Sequence, residues 1–136
     1  MNQLTGTITQ VQQSGTIMLA DIDVDGHGFS AMFIESVSVT HWLQEGKKVL
    51  LVFKETEVSL AKDIQGRISI RNRLPCTVVS IDKGTLLSKI DLQFKGYLIS
   101  SVITTRSAGY LEIQPGDEVI AMIKSNEIAV MEMVVQ

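Results

Sequence analysis

Basic residues, cysteines, aromatics and long apolar runs are all scarce in this 136-residue chain. Each shortage removes a class of function. Twelve lysines and arginines stand against fifteen aspartates and glutamates, a net charge of −3. A phosphate backbone is gripped through a basic face, so this balance argues against a nucleic-acid partner. Aromatics are 5% of residues and scattered, which denies the stacking platform of single-strand binders. With one cysteine, Cys76, no disulfide can form within the chain, which fits a reducing compartment. His27 and His41 stand apart, with no C-x-x-C and no third ligand at zinc spacing, so no metal site is expected. Neither a Ser-His-Asp nor a Cys-His arrangement is present, so no catalytic residue is assigned and no enzyme is expected. Apolar runs stop after a few residues, far short of the roughly 20 that span a bilayer. The opening "MNQLTGTITQVQQSG" has neither the basic start nor the apolar run of a secretory signal. These shortages together predict a soluble cytoplasmic protein with no membrane partner and no organic cofactor.

What remains is ample apolar content. At 45% of residues it suffices for one ordinary domain or two very small ones. A repeat selects the second. "NQLTGTITQVQQSGT" (2–16) resembles "NRLPCTVVSIDKGT" (72–85), and "LQEGKKVLLVFKETEV" (43–58) resembles "IQPGDEVIAMIKSNEI" (113–128). The offset is 69 or 70, with slips near the hairpin, where Gly15 aligns with Gly84. A period sustained over half the chain signals two copies of one module. The polar joint "AKDIQGR" (61–67) divides them into 1–63 and 64–136.

Each module has the pattern of β-structure. "TVVSI", "KIDLQF", "YLISSVI", "EVIAMIK" and "EIAVMEM" alternate partly and are rich in β-branched residues. Turn signals such as "DGHG", "QEGK" and "QPGD" separate them. One segment per module looks helical, 36–43 and 106–113. The expected fold class is all-β, two tandem OB-like five-stranded barrels with one short helix each; paired SH3-like barrels are the alternative. Barrels this small bury little core alone, which favours oligomerisation.

Two polar groups invite a chemical explanation. Asp21, Asp23 and Asp25 alternate in "ADIDVDG" and share a face at strand spacing. The loop lacks the Gly-x5-Glu completion of a calcium site, so a solvated strand face entering a turn is expected. In "ISIRN", Ser69 and Arg71 share a strand face, and Asn72 follows. "ITTRS" offers Thr104, Thr105 and Ser107 at a helix start, and "IKSNE" places Lys124 beside Ser125. The residues alone leave two readings open: unrelated surface polarity, or the donor kit for a small tetrahedral oxyanion. That kit combines a guanidinium, an ammonium and hydroxyls, with no carboxylate among the ligands.

The combination resembles the molybdate-binding Mop (TOBE-type) family, the molbindins. Their Ser-Ala-Arg-Asn, Gly-rich turn, Thr-x-x-Ser-Ala, Leu-x-Pro-Gly-Asp/Glu-x-Val and Val-Lys-Ala elements correspond here to Ser69–Asn72, Lys83-Gly84, Thr104–Ala108, Ile113–Val119 and Ile123–Ser125. The resemblance implies OB-like barrels, often in tandem, that bind molybdate or tungstate without catalysis at interfaces between modules and between chains. By position it implies Ser69, Ile70, Arg71, Thr104, Ser107, Lys124 and Ser125 as oxyanion ligands, Ile70 and Ser125 partly through backbone N–H. It implies Ser-x-Arg on one side of the site and the Thr-x-x-Ser and Lys-x segments on the other. Ile70 and Ser125 replace alanines, and Cys76 stands where glycine is usual. Module one has no Ser-x-Arg, carries Glu35 at the place aligned with Thr104, and retains Ser38 and Lys54, with Glu55 next. It is therefore expected to be a degenerate partner. The implied function is molybdate or tungstate storage, buffering or homeostasis by a free-standing homo-oligomer, trimer or dimer. The alternative is an anion-sensing module of a regulator or transporter.

Overall fold

The computed structural model describes residues 1–34 and 41–133. Its strands are β1 (Asn2–Ser14), β2 (Ile17–Val24), β3 (His27–Ile34), β4 (Lys48–Phe53), β5 (Ser59–Ala61), β6 (Asn72–Lys83), β7 (Leu87–Phe94), β8 (Tyr97–Thr104), β9 (Glu118–Ile123) and β10 (Ala129–Glu132). One helix, α1 (Thr105–Tyr110), follows β8, and 3-10 turns occupy Glu55–Glu57 and Ser125–Glu127. The chain is two tandem OB-like units, each a curled five-stranded antiparallel sheet. Alternation drives the strands inward on one face. In β6, Asn72, Leu74, Cys76 and Val78 are buried while Arg73, Pro75 and Thr77 are exposed. One apolar cluster, with Phe53 and Phe94 among its largest members, draws on both halves.

The last strand of each half is exchanged. The first sheet runs β10-β4-β1-β2-β3 and the second β5-β9-β6-β7-β8. Ser59 pairs with Met122, and Ala129 with Val52. Each half thus completes the other's sheet. Two asparagines fasten the same junction. Asn72 accepts the Ser30 backbone N–H through Oδ1 (2.7 Å) and donates Nδ2 to the Ser30 carbonyl (2.8 Å). Asn2 repeats this on Ser100, at 2.8 and 2.9 Å. Ser30 and Ser100 lie on β3 and β8, at the sheets' outer edges, where unpaired backbone groups need partners. Buried Asn2 and Asn72 supply them.

The registers relate the halves by one offset of 70 residues. Asn2 faces Phe53 as Asn72 faces Ile123, and Asp21 faces Gln10 as Asp91 faces Ser80. Both first strands bulge at the same place, between Ile8 and Gln10 and between Val78 and Ser80. The alignment of Gly15 with Gly84 therefore does not survive. Gly15 sits in a tight turn at φ 61°, whereas a Cβ on Gly84 would meet the Leu87 carbonyl at 2.5 Å. They are glycines for different reasons. The same register puts Ile34, not Glu35, at the position of Thr104: Ile17 pairs with Ile34 as Leu87 pairs with Thr104.

The helix expected at 106–113 forms at Thr105–Tyr110, and Glu112 turns the chain away at φ 52°. Most of its expected counterpart, including 36–40, lies outside the described residues, as do Glu35 and Ser38. Asp25 is not on the strand face with Asp21 and Asp23. It occupies the turn after β2 at φ 49°, and Asp23 accepts the Gly26 N–H at 3.2 Å. The joint is clamped by Lys62, which donates to the Glu112 carbonyl and to Asp117 Oδ2, each at 3.0 Å. The Asp117 carboxyl lies below its usual range because the Gln114 backbone N–H and then Lys62 bond to it.

Candidate anion-binding site

β6 begins at Asn72, and the asparagine's grip on Ser30 carries the preceding residues onto the first unit. Ser69, Ile70 and Arg71 thereby line a cavity of about 470 Å³ with Lys124 and Ser125, which follow β9. The opposite wall is the outer face of the first sheet: Gln12, Leu19, Asp21, Ser30 and Met32. Arg71, Asp21 and Ser30 also line an adjoining recess of about 260 Å³. Among the described residues, neither Arg71 nor Lys124 has an ion-pair partner. Two unpaired cations, two hydroxyls and an open cavity favour a small anion carrying several acceptor oxygens.

Five of the seven residues proposed from the sequence are thus brought together: Ser69, Ile70, Arg71, Lys124 and Ser125. Asn72 pairs with Ile123, so Arg71 and Lys124 flank one strand pair within the chain. Thr104 and Ser107 are elsewhere, at the start of α1. Thr104 Oγ1 accepts the Ser107 backbone N–H at 3.0 Å and donates to Ser107 Oγ at 2.8 Å. Thr104 is the N-cap of α1, and both hydroxyls are exposed. Asp21 is the residue the sequence misses. It lines the cavity beside the expected ligands, among which there is no carboxylate.

A second cleft, about 400 Å³, has the wrong electrostatic character for an anion. It is lined by Asp63 and Glu118 and by no lysine or arginine. Cys76 lies on its wall, and burial pushes the thiol up to about 12, so it is not a nucleophile near neutrality. Among the described residues no cluster of histidine, cysteine and carboxylate side chains has the makings of a metal site.

Residues 68–130 match the TOBE domain model. The molybdenum-pterin-binding protein MopB of Rhodobacter capsulatus is 31% identical over 106 residues, 76% of this chain and 39% of that protein. The solved structure of the cytoplasmic molybdate-binding protein ModG, with molybdate bound, superimposes at a TM-score of 0.92 with 27% identity, covering 97% of this chain and 96% of that one. The chain belongs to the Mop/TOBE family. Family members also occur inside larger proteins. The molybdenum import ATP-binding protein ModC of Brucella abortus (strain 2308) is 33% identical over 108 residues, 79% of this chain but 28% of that protein. The chain therefore spans well under half the length of these two curated relatives. Among the described residues, no helix is long and apolar enough to cross a membrane.

Proposed function

We propose that this protein binds molybdate or tungstate as the intact oxyanion in the cytoplasm, without catalysis, for storage, buffering or homeostasis. The observation that carries the reading is the cavity that Arg71 and Lys124 line together with Ser69 and Ser125, neither cation having an ion-pair partner among the described residues. The cations would supply charge-assisted hydrogen bonds, and the hydroxyls and the Ile70 and Ser125 backbone N–H groups would set the geometry. Sulfate has the same charge and shape, so its exclusion would rest on size.

Thr104 and Ser107 would complete the site from a second copy of the chain. Both are exposed, and apolar residues lie bare beside them: Tyr110 is 86% exposed and Leu86 79%. Ile17 and Met32, at the cavity's own end, are also exposed. Two bare apolar patches flanking the two parts of one donor set support a homo-oligomer, trimer or dimer. A second reading, an anion-sensing module of a regulator or transporter, is favoured by the match to ModC, in which the matched segment is a minor part of a larger protein.

Isothermal titration tests the binding. Molybdate is expected to bind and sulfate to bind more weakly. Loss of one charge-assisted hydrogen bond costs about 1.5–3 kcal/mol, so Arg71→Ala is expected to weaken molybdate binding about 10- to 150-fold. Binding unchanged in Arg71→Ala would place the site elsewhere.

A further inference from the structure

The offset of 70 residues implies a second cavity position in every chain, the counterpart of the first. Ser125 corresponds to Glu55, Lys124 to Lys54, Arg71 to Met1, and Leu19 to Lys89. The correspondence is close: residues 51–60 and 121–130 share one burial pattern, position for position. The 3-10 turn at Glu55–Glu57 packs on β8 as the turn at Ser125–Glu127 packs on β3.

The chemistry at the two positions differs in sign. In the second half Ser125 lines a cavity with Arg71 and Lys124, two cations that have no ion-pair partner among the described residues. In the first half Glu55 bears a carboxylate, and the Met1 ammonium is ion-paired to its Oε1. Its carboxyl lies below the usual range, chiefly because of that hydrogen bond, with a smaller contribution from the charge of Lys89. Lys89 is an added cation here, since its counterpart Leu19 is apolar. A position that gathers positive charge around a tethered carboxylate already has its anion.

We propose that the Glu55 carboxylate is a built-in replacement for the bound oxyanion at the equivalent first-half position, which closes that position to free tetrahedral dianions. The inference rests on the molybdate-binding reading above and adds to it: the first half is self-occupied rather than merely short of ligands. Glu55 is partly exposed, with side-chain exposure of 31%, so its replacement does not disturb the core. Serine there restores the residue that the competent half carries.

Equilibrium dialysis against molybdate counts the ions per chain. Because each chain has one position of each kind, Glu55→Ser is expected to double the parent's number. Glu55→Ala, which removes the charge and adds no donor, keeps the test open should the serine variant misfold, and is also expected to raise the number. In an Arg71→Ala background, where the second-half cavity binds more weakly, Glu55→Ser is expected to add one ion per chain. An unchanged number in folded Glu55→Ser and Glu55→Ala overturns the proposal. A parent that binds no molybdate rejects the molybdate reading itself, so the two failures are distinguishable.

Discussion

Asp21 lines a cavity whose cations are Arg71 and Lys124, and nothing among the described residues bonds its carboxylate. Its counterpart Asp91 is differently placed: Asp91 accepts from Ser80 Oγ at 3.1 Å and Ser100 Oγ at 2.7 Å. Asp91 is therefore anchored, whereas Asp21 acts through its field, lowering the positive potential that an oxyanion meets. The site is partly solvated, so the effect is modest. At about 0.2–1 kcal/mol for an exposed charge, Asp21→Asn is expected to tighten molybdate binding about 1.5- to 5-fold, and the gain should shrink as salt is raised. Titration at two ionic strengths checks both parts; weaker binding in Asp21→Asn would mean that the carboxylate positions Arg71. Asp21 also marks how far the site was legible. Ser69, Ile70 and Arg71, and Lys124 with Ser125, sit within short motifs, so their residue types announce themselves. Asp21 sits in "ADIDVDG", whose period-2 acidic pattern is that of any solvated strand. Only tertiary pairing brings it opposite Arg71.

The segments are joined by the paired asparagines. Asn72 satisfies both outward backbone groups of Ser30, and it is 1% exposed. Asn72→Ala leaves a partly buried N–H and carbonyl without their side-chain partner, an expected loss of roughly 1–3 kcal/mol of stability. Asn2→Ala should cost a similar amount through Ser100. The two variants should part company in binding. Asn72 adjoins Arg71, so its loss releases the 69–71 segment from the cavity and weakens molybdate binding. Asn2 adjoins the self-occupied position, and its loss leaves molybdate affinity unchanged. Urea denaturation followed by titration of both variants makes the comparison; equal effects on binding would deny the asparagine any part in shaping the site. The repeat made both asparagines visible from sequence, but not their work. The strand pattern shows that Asn72 opens β6 without showing that its side chain reaches an edge 42 residues back. The exchange of β5 and β10 was hidden for a related reason. A three- or four-residue terminal strand has the same alternation whichever sheet accepts it.

That exchange makes the chain a pseudo-symmetric pair, and it sets what a single half must do. A chain of residues 64–136 lacks β5, leaving one side of β9 unpaired, and lacks β4, leaving β10 without a sheet. Bare edges of this kind recruit matching strands. A second copy supplies them in register, because Ala129 stands to Val52 as Ser59 stands to Met122. Its Ser100 likewise offers Asn72 the edge that Ser30 provides in the full chain. The half-chain is therefore expected to form a homodimer by exchanging β10, with two copies of the Ser69–Arg71 and Lys124–Ser125 set and no Glu55 to fill either. Compared with the full chain, the opposite wall changes: Lys89 replaces Leu19, while Asp91 replaces Asp21 with its carboxylate held by Ser80 and Ser100. One cation more and a carboxylate already bonded favour anion binding at each site. Light scattering should give at least twice the half-chain mass at every concentration where the fragment is folded, and dialysis should count one molybdate per half-chain. A folded monomer would show that the exchanged strands are dispensable, and a dimer that binds nothing would show that the wall supplied by the first half is part of the site.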